Sequence, residues 1–187
     1  MTEIQRDYQR TGGASQRQSQ SPIANGTYSR SVASPSTRTR LYTNSAMSAN
    51  IPSNWQDFNT SGQVWFAPQG AYGSEGITHG VMVGAARANS TNLGEATRQY
   101  LNELLQANTY LRQTGGVQRA NIAGRTGYAV MLAGRSAVTG RTEVVTVYTA
   151  QLRSGDLFFV ATVSPEEELY RYNPVFRNMV GSIQLND

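Results

Sequence analysis

The sequence predicts an α+β fold, an antiparallel β-sheet flanked by helices on its faces. Three observations predict it. Three glycine-bearing hairpin connections follow one another between residues 117 and 163, an apolar helical face spans residues 92–107, and a second helix is signalled after Ser164-Pro165.

Residues 1–40 are mostly Ser, Thr, Gln, Gly and Arg with scarce apolar side chains, a composition that buries too little surface to offset the entropy of ordering. They are expected to form a disordered tail or linker, with the folded body over residues 41–187. Tyr42, Ala46, Ser48 and the Ile51-Pro52 step predict a first strand over residues 45–51, ended by Pro52. Residues 63–68 (QVWFAP) form a second short strand, and residues 77–88 a third in which Val81, Val83 and Ala85 alternate. The Gly-rich stretch QGAYGSEG between them is a loop.

Leu93, Ala96, Tyr100, Leu104 and Ala107, with Leu101 and Leu105, fall on one helical face, and Asn92 followed by Glu95 is a capping start. Turns at Gly124-Arg125, Thr139-Gly140 and Ser154-Gly155 then join strands over 117–123, 126–136, 142–153 and 156–163. In the third of these both alternating sets, Val144 to Ala150 and Val145 to Gln151, are largely apolar, which implies a strand covered on both faces. Ser164 is the expected N-cap of the closing helix, with Pro165 in its first turn and Glu166, Glu167 and Glu168 complementing its dipole. Asn173-Pro174 is expected to break that helix, with Asn173 capping a second piece to about residue 181. Leu169, Tyr172, Phe176, Met179, Val180 and Ile183 would pack on the sheet.

Composition excludes much chemistry. The chain has no Cys and no Lys, so thiolate sites, Schiff bases and a P-loop lysine are out. His79 is the one histidine, which rules out two-His metal sites, and no G-x-S-x-G elbow supplies a nucleophile for it. No catalytic, metal or cofactor constellation is expected. His79 reads as structural, at a loop-to-strand junction. The excess positive charge sits in residues 1–40, where six arginines face Glu3 and Asp7, whereas residues 41–187 carry ten of each sign. An arginine spacing that sparse reads as a linker more than as a nucleic-acid arm. The repeated Gly-Arg-Ser/Thr steps at 124–126, 134–136 and 140–142 read as turn chemistry. Met1–Asp7 lacks the order of a signal peptide, and no run approaches the roughly 18 apolar residues that span a bilayer, so the chain is expected to be soluble.

The segment VWFAPQGAYGSEGITH, residues 64–79, places large rings beside a Gly-rich loop, a common recognition design. Trp65, Phe66, Tyr72 and His79 are the candidate residues for binding a ligand or partner.

With the stretches IPSNWQDF, VWFAPQGAYG, ITHGVMVG, EVVTVYTAQLRSGDLFFV and FRNMVGSIQLND, the body resembles the C-terminal accessory domain of bacterial HtpX-like zinc metallopeptidases. The resemblance implies a PsbP-like αβα sandwich, a peptidase module or another protein as partner, and an extracytoplasmic setting. It carries over no catalytic residue, because the H-E-x-x-H helix of such enzymes belongs to the upstream module. Pro174 departs from the uninterrupted final helix of the family. Two other readings stay open, a piece of a metallopeptidase acting only with its catalytic module and a tail that engages nucleic acid or an anionic surface.

Overall fold

The hairpins form where the backbone needs glycine. In the computed structural model, which describes residues 22–60 and 62–187, Gly124, Gly140 and Gly155 have φ of 74°, 68° and 94° in the three connections. At the first, Ala123 is also left-handed at φ 54°, as a two-residue hairpin turn requires. The turns join β9 (Gln118–Ile122), β10 (Arg125–Arg135), β11 (Thr142–Gln151) and β12 (Leu157–Pro165).

These strands are one half of an eight-stranded antiparallel sheet. The other half is β3 (Trp55–Thr60), β4 (Gln63–Pro68) and β7 (Gly80–Ala86), and the order is β3-β4-β7-β12-β11-β10-β8, with β8 (Arg112–Gln113) and β9 both paired to β10. A small second sheet sets β2 (Met47–Pro52) between β1 (Thr39–Thr43) and the late strand β13 (Gln184–Leu185). A two-stranded hairpin, β5 (Tyr72–Gly73) with β6 (Gly76–Ile77), lies between β4 and β7.

Two cores follow from strand alternation. On one face, helix α1 (Leu93–Ala107) presses Leu101 and Leu104 onto Val130, Leu132, Val145, Val147, Ala161 and Val163. On the other, helix α2 (Leu169–Gly181) and the underside of β2 cover Val64, Phe66, Val81, Val83, Phe158 and Val160. Strand β11 supplies Val145 and Val147 to the first core and Ala150 to the second, so it is covered on both faces as its composition implies. Asn92 caps α1 by accepting from the Glu95 amide.

The structure corrects four expectations. Structure begins before residue 41, within the segment expected to be a disordered tail. Pro22–Asn25 is a turn of 3-10 helix, Ile23 is buried against the α1-side core, and Tyr28 Oη donates to the Gly76 carbonyl at 2.9 Å. The reason is that a few anchors, inserted one at a time, order a segment whose average composition is polar. Residues 1–21 and the expectation made for them lie outside the described residues. Strands β1 and β3 were not expected, and the strand at 45–51 forms as Met47–Pro52.

Ser164 is not an N-cap. It belongs to β12, opposite Val144, fully buried, and neither the 3-10 turn Glu166–Glu168 nor α2 has a side-chain cap bond. Pro174 does not break the helix either. It and Tyr170, whose carbonyl loses its usual partner, lie on the solvent side, while Tyr172, Phe176, Met179 and Val180 are buried and hold the helix through. No described helix is long and apolar enough to cross a membrane.

A candidate pocket beside two buried polar clusters

The 64–79 segment does not gather its four candidates. Trp65 and Phe66 are successive residues of β4 and point into opposite cores, with Phe66 fully buried and so removed from any surface. Tyr72 is half-buried, its ring 4.5 Å from that of Phe58, and its hydroxyl donates to Gln56 Oε1 at 2.9 Å.

His79 is 2% exposed. Its Nδ1 lies 2.9 Å from Thr78 Oγ1, its ring packs 5.3 Å from Tyr172, and its Nε2 is 3.5 Å from Glu168 Oε1 without a hydrogen bond of good geometry. Burial lowers its pKa, more than the nearby Glu168 raises it. Arg141 Nη2 donates to Glu167 and Glu168 at 2.5 Å each. The Glu168 carboxyl, which desolvation alone would push up, is held below the usual range mainly by that hydrogen bond from Arg141. The cluster clamps the β10–β11 turn, the 3-10 turn before α2 and the start of β7 together. The imidazole is sealed from solvent by this packing.

A second polar cluster opens onto a pocket. Glu143, at the start of β11, is 6% exposed, and Tyr110 Oη donates to its Oε1 at 2.6 Å. Desolvation raises the Glu143 pKa to about 7, partly offset by the Tyr110 bond. Burial likewise raises the Tyr110 phenol, with the Glu143 charge adding to it.

These two groups line a cavity of about 50 Å³ whose walls include Trp65, Ile77, Met82, Leu104, Leu111 and Val163, with Asn108 and the exposed Glu75 as its further polar members. Thus Trp65, alone among the sequence-predicted binding residues, reaches this pocket, together with the Glu75–Ile77 end of its segment. Sequence reasoning missed Glu143 and Tyr110. The available signal was the single acid in TEVVTVY, a carboxylate heading a strand covered on both faces.

A larger groove of about 470 Å³ lies between the small sheet and β4–β7, floored by Val64, Val83 and Phe158. Several of its polar rim residues are already engaged. Tyr42 Oη donates to Asn59, Asn44 accepts from the Ala46 and Met47 amides, and Asp187 is held by Arg125. Among the described residues no group of three or more His, Asp or Glu is placed to hold a metal.

No family model and no curated protein matches the sequence. Solved structures do. The Ran-binding protein Mog1p of Saccharomyces cerevisiae is similar at 13% identity and TM-score 0.55, over 81% of this chain and 97% of its own. Cyanobacterial PsbP from Synechocystis is similar at 11% identity and TM-score 0.55, over 83% of this chain and 94% of its own. A protein from Bacteroides thetaiotaomicron matches at 15% identity and TM-score 0.48 over 75% of this chain, which spans only 45% of that one. At these identities the likeness concerns the fold. The chain has a PsbP-like α+β fold of antiparallel sheet and two helices, shared with Mog1p.

Proposed function

We propose that this chain is a non-catalytic binding domain whose partner is another protein, engaged at the pocket framed by Trp65, the Glu75–Ile77 hairpin and Glu143. The observation that carries the reading is the convergence of an aromatic wall, a buried carboxyl and a rim carboxylate on one concave site, while the one histidine is spent inside the core. Mog1p, which shares the fold, is a Ran-binding protein, and the arrangement here suits the same kind of work.

A pull-down with the full chain, repeated with Trp65→Ala, tests it. Retention of a discrete protein by the wild type and its loss with the folded variant is the expected result. Hydrolysis of a generic peptide or ester that disappears with His79→Ala would overturn the non-catalytic part. The resemblance of the body to accessory domains of HtpX-like metallopeptidases makes a peptidase module the first partner to try. That finer assignment fails if such modules pass through unretained while other proteins bind.

A further inference from the structure

The pocket has a one-sided charge. Glu143 and Glu75 line it, and none of the residues around it is basic, in a chain with a formal net charge of +4. The nearest arginines in sequence are engaged elsewhere. Arg141 pairs with Glu167 and Glu168, and Arg112 donates to the carbonyls of Thr109 and Leu111. Among the described residues, the neighbour that acts on Glu143 is a hydroxyl, that of Tyr110, by hydrogen bond, and the charge of Glu143 in turn raises the Tyr28 phenol.

A carboxyl taken out of water without a cation is a costly arrangement, and the ionised form becomes favourable once a cation is brought beside it. The surroundings suit such a cation. Trp65 supplies an aromatic wall, Tyr110 and Asn108 offer polar atoms, and Met82, Leu104 and Leu111 would pack on an alkyl stem. A cavity of about 50 Å³ is room for a few water-sized groups, which matches one ammonium or guanidinium head with the rest of the ligand outside the mouth.

Resting on the binding-domain reading above, we infer that this pocket receives a single ammonium or guanidinium group, with Glu143 as its counter-ion and Glu75 guiding it at the mouth. The group can be the tip of a partner's lysine or arginine, or a free small amine. Where Glu143 is still protonated, entry converts it to carboxylate and releases that proton to solvent, nearly one per site at pH 6 and little at pH 8, so binding strengthens as pH rises. The titratable groups facing the site are Glu143, Glu75, Tyr110 and Tyr28; burial brings Glu143 to near neutrality and raises both phenols away from it.

The test is calorimetry on the full chain with methylguanidinium and n-butylammonium, with methylurea as the neutral isostere, at pH 6 and pH 8. The cations are expected to bind about tenfold more tightly at pH 8, with proton release read from buffers of different ionisation heat, and methylurea is expected not to bind. Glu143→Gln, verified as folded by circular dichroism, should abolish binding, and Glu75→Gln should weaken it several-fold. Equal binding of methylurea, survival of cation binding in Glu143→Gln, or no cation binding at millimolar concentration would each overturn the inference.

The source is separated by peptides carrying Arg or Lys against the same peptides with citrulline or norleucine. Tighter binding of the charged peptides than of the free cations assigns a protein side chain, and the reverse assigns a small amine. A protein retained through Trp65 with no preference for cations would leave the binding-domain reading standing while this inference falls.

Discussion

Tyr110 Oη and Glu143 Oε1 meet at 2.6 Å, a bond that ties the loop after α1 to the first turn of register in β11. The bond partly offsets the burial of this carboxyl, whose pKa still stands at about 7. Between about pH 4.5 and 7 the native state therefore keeps a proton that the unfolded chain has released, and this group's contribution to stability is lost as pH rises through that window. Glu143→Gln keeps an acceptor for Tyr110 and removes the ionisation. Relative to wild type it should gain stability on the order of 3 kcal/mol between pH 4.5 and pH 8, measured as the difference in urea unfolding at each pH.

Thr97 of α1 and Thr149 of β11 lie buried with their hydroxyls 2.8 Å apart. Removing one leaves the other without a partner, which costs about 1–3 kcal/mol, whereas removing both is close to neutral. Thr97→Val should destabilise by about 1–2 kcal/mol, and Thr97→Val with Thr149→Val should recover most of that. A double-mutant cycle by denaturant titration measures the coupling.

Pro174 sits on the exposed side of α2 with its helix intact. Pro174→Ala restores the amide that can donate to the Tyr170 carbonyl, against a smaller gain of entropy in the unfolded chain. The variant should be more stable by about 1–2 kcal/mol, read as a higher melting temperature.

Gly80 has φ 141°, and a Cβ added there would lie 2.1 Å from the Phe66 carbonyl oxygen, a backbone atom of the neighbouring strand. Gly80→Ala must separate β7 from β4 and should destabilise by more than about 3 kcal/mol. At Gly116, where nothing lies within 4 Å of an added Cβ, the same substitution should stay within about 0.5 kcal/mol. Equilibrium unfolding of the pair checks both.

What sequence made legible was local. The helix at Leu93–Ala107, the strand at Gln63–Pro68 and the three turns each carry their signal within a few neighbouring residues. Strand β3 hides because its buried residues, Trp55 and Phe58, are three apart and break the period of two. Strand β1 hides because Tyr42 alone of its five residues is buried. Ser164-Pro165 imitates a helix start, but the chain is still paired with β11 through Pro165, and cross-strand bonding overrides the capping preference. Of the pocket, Trp65 could be found from its neighbours in sequence. Glu143 and Tyr110 could not be paired, because they are brought together only by the return of β11 beneath the end of α1.

The small sheet joins residues far apart in the chain, since β2 is bonded through Gln184↔Ser48 and Leu185↔Met47. During synthesis at about 5–20 residues per second, β2 waits roughly 7–25 s for that last partner to be made. Through that interval Met47, Ala49 and Ile51, which belong to the α2-side core, have no α2 to lie against. The layer cannot close until residues 169–185 have been made, so a nascent chain stalled short of residue 169 would present a greasy strand to any chaperone within reach.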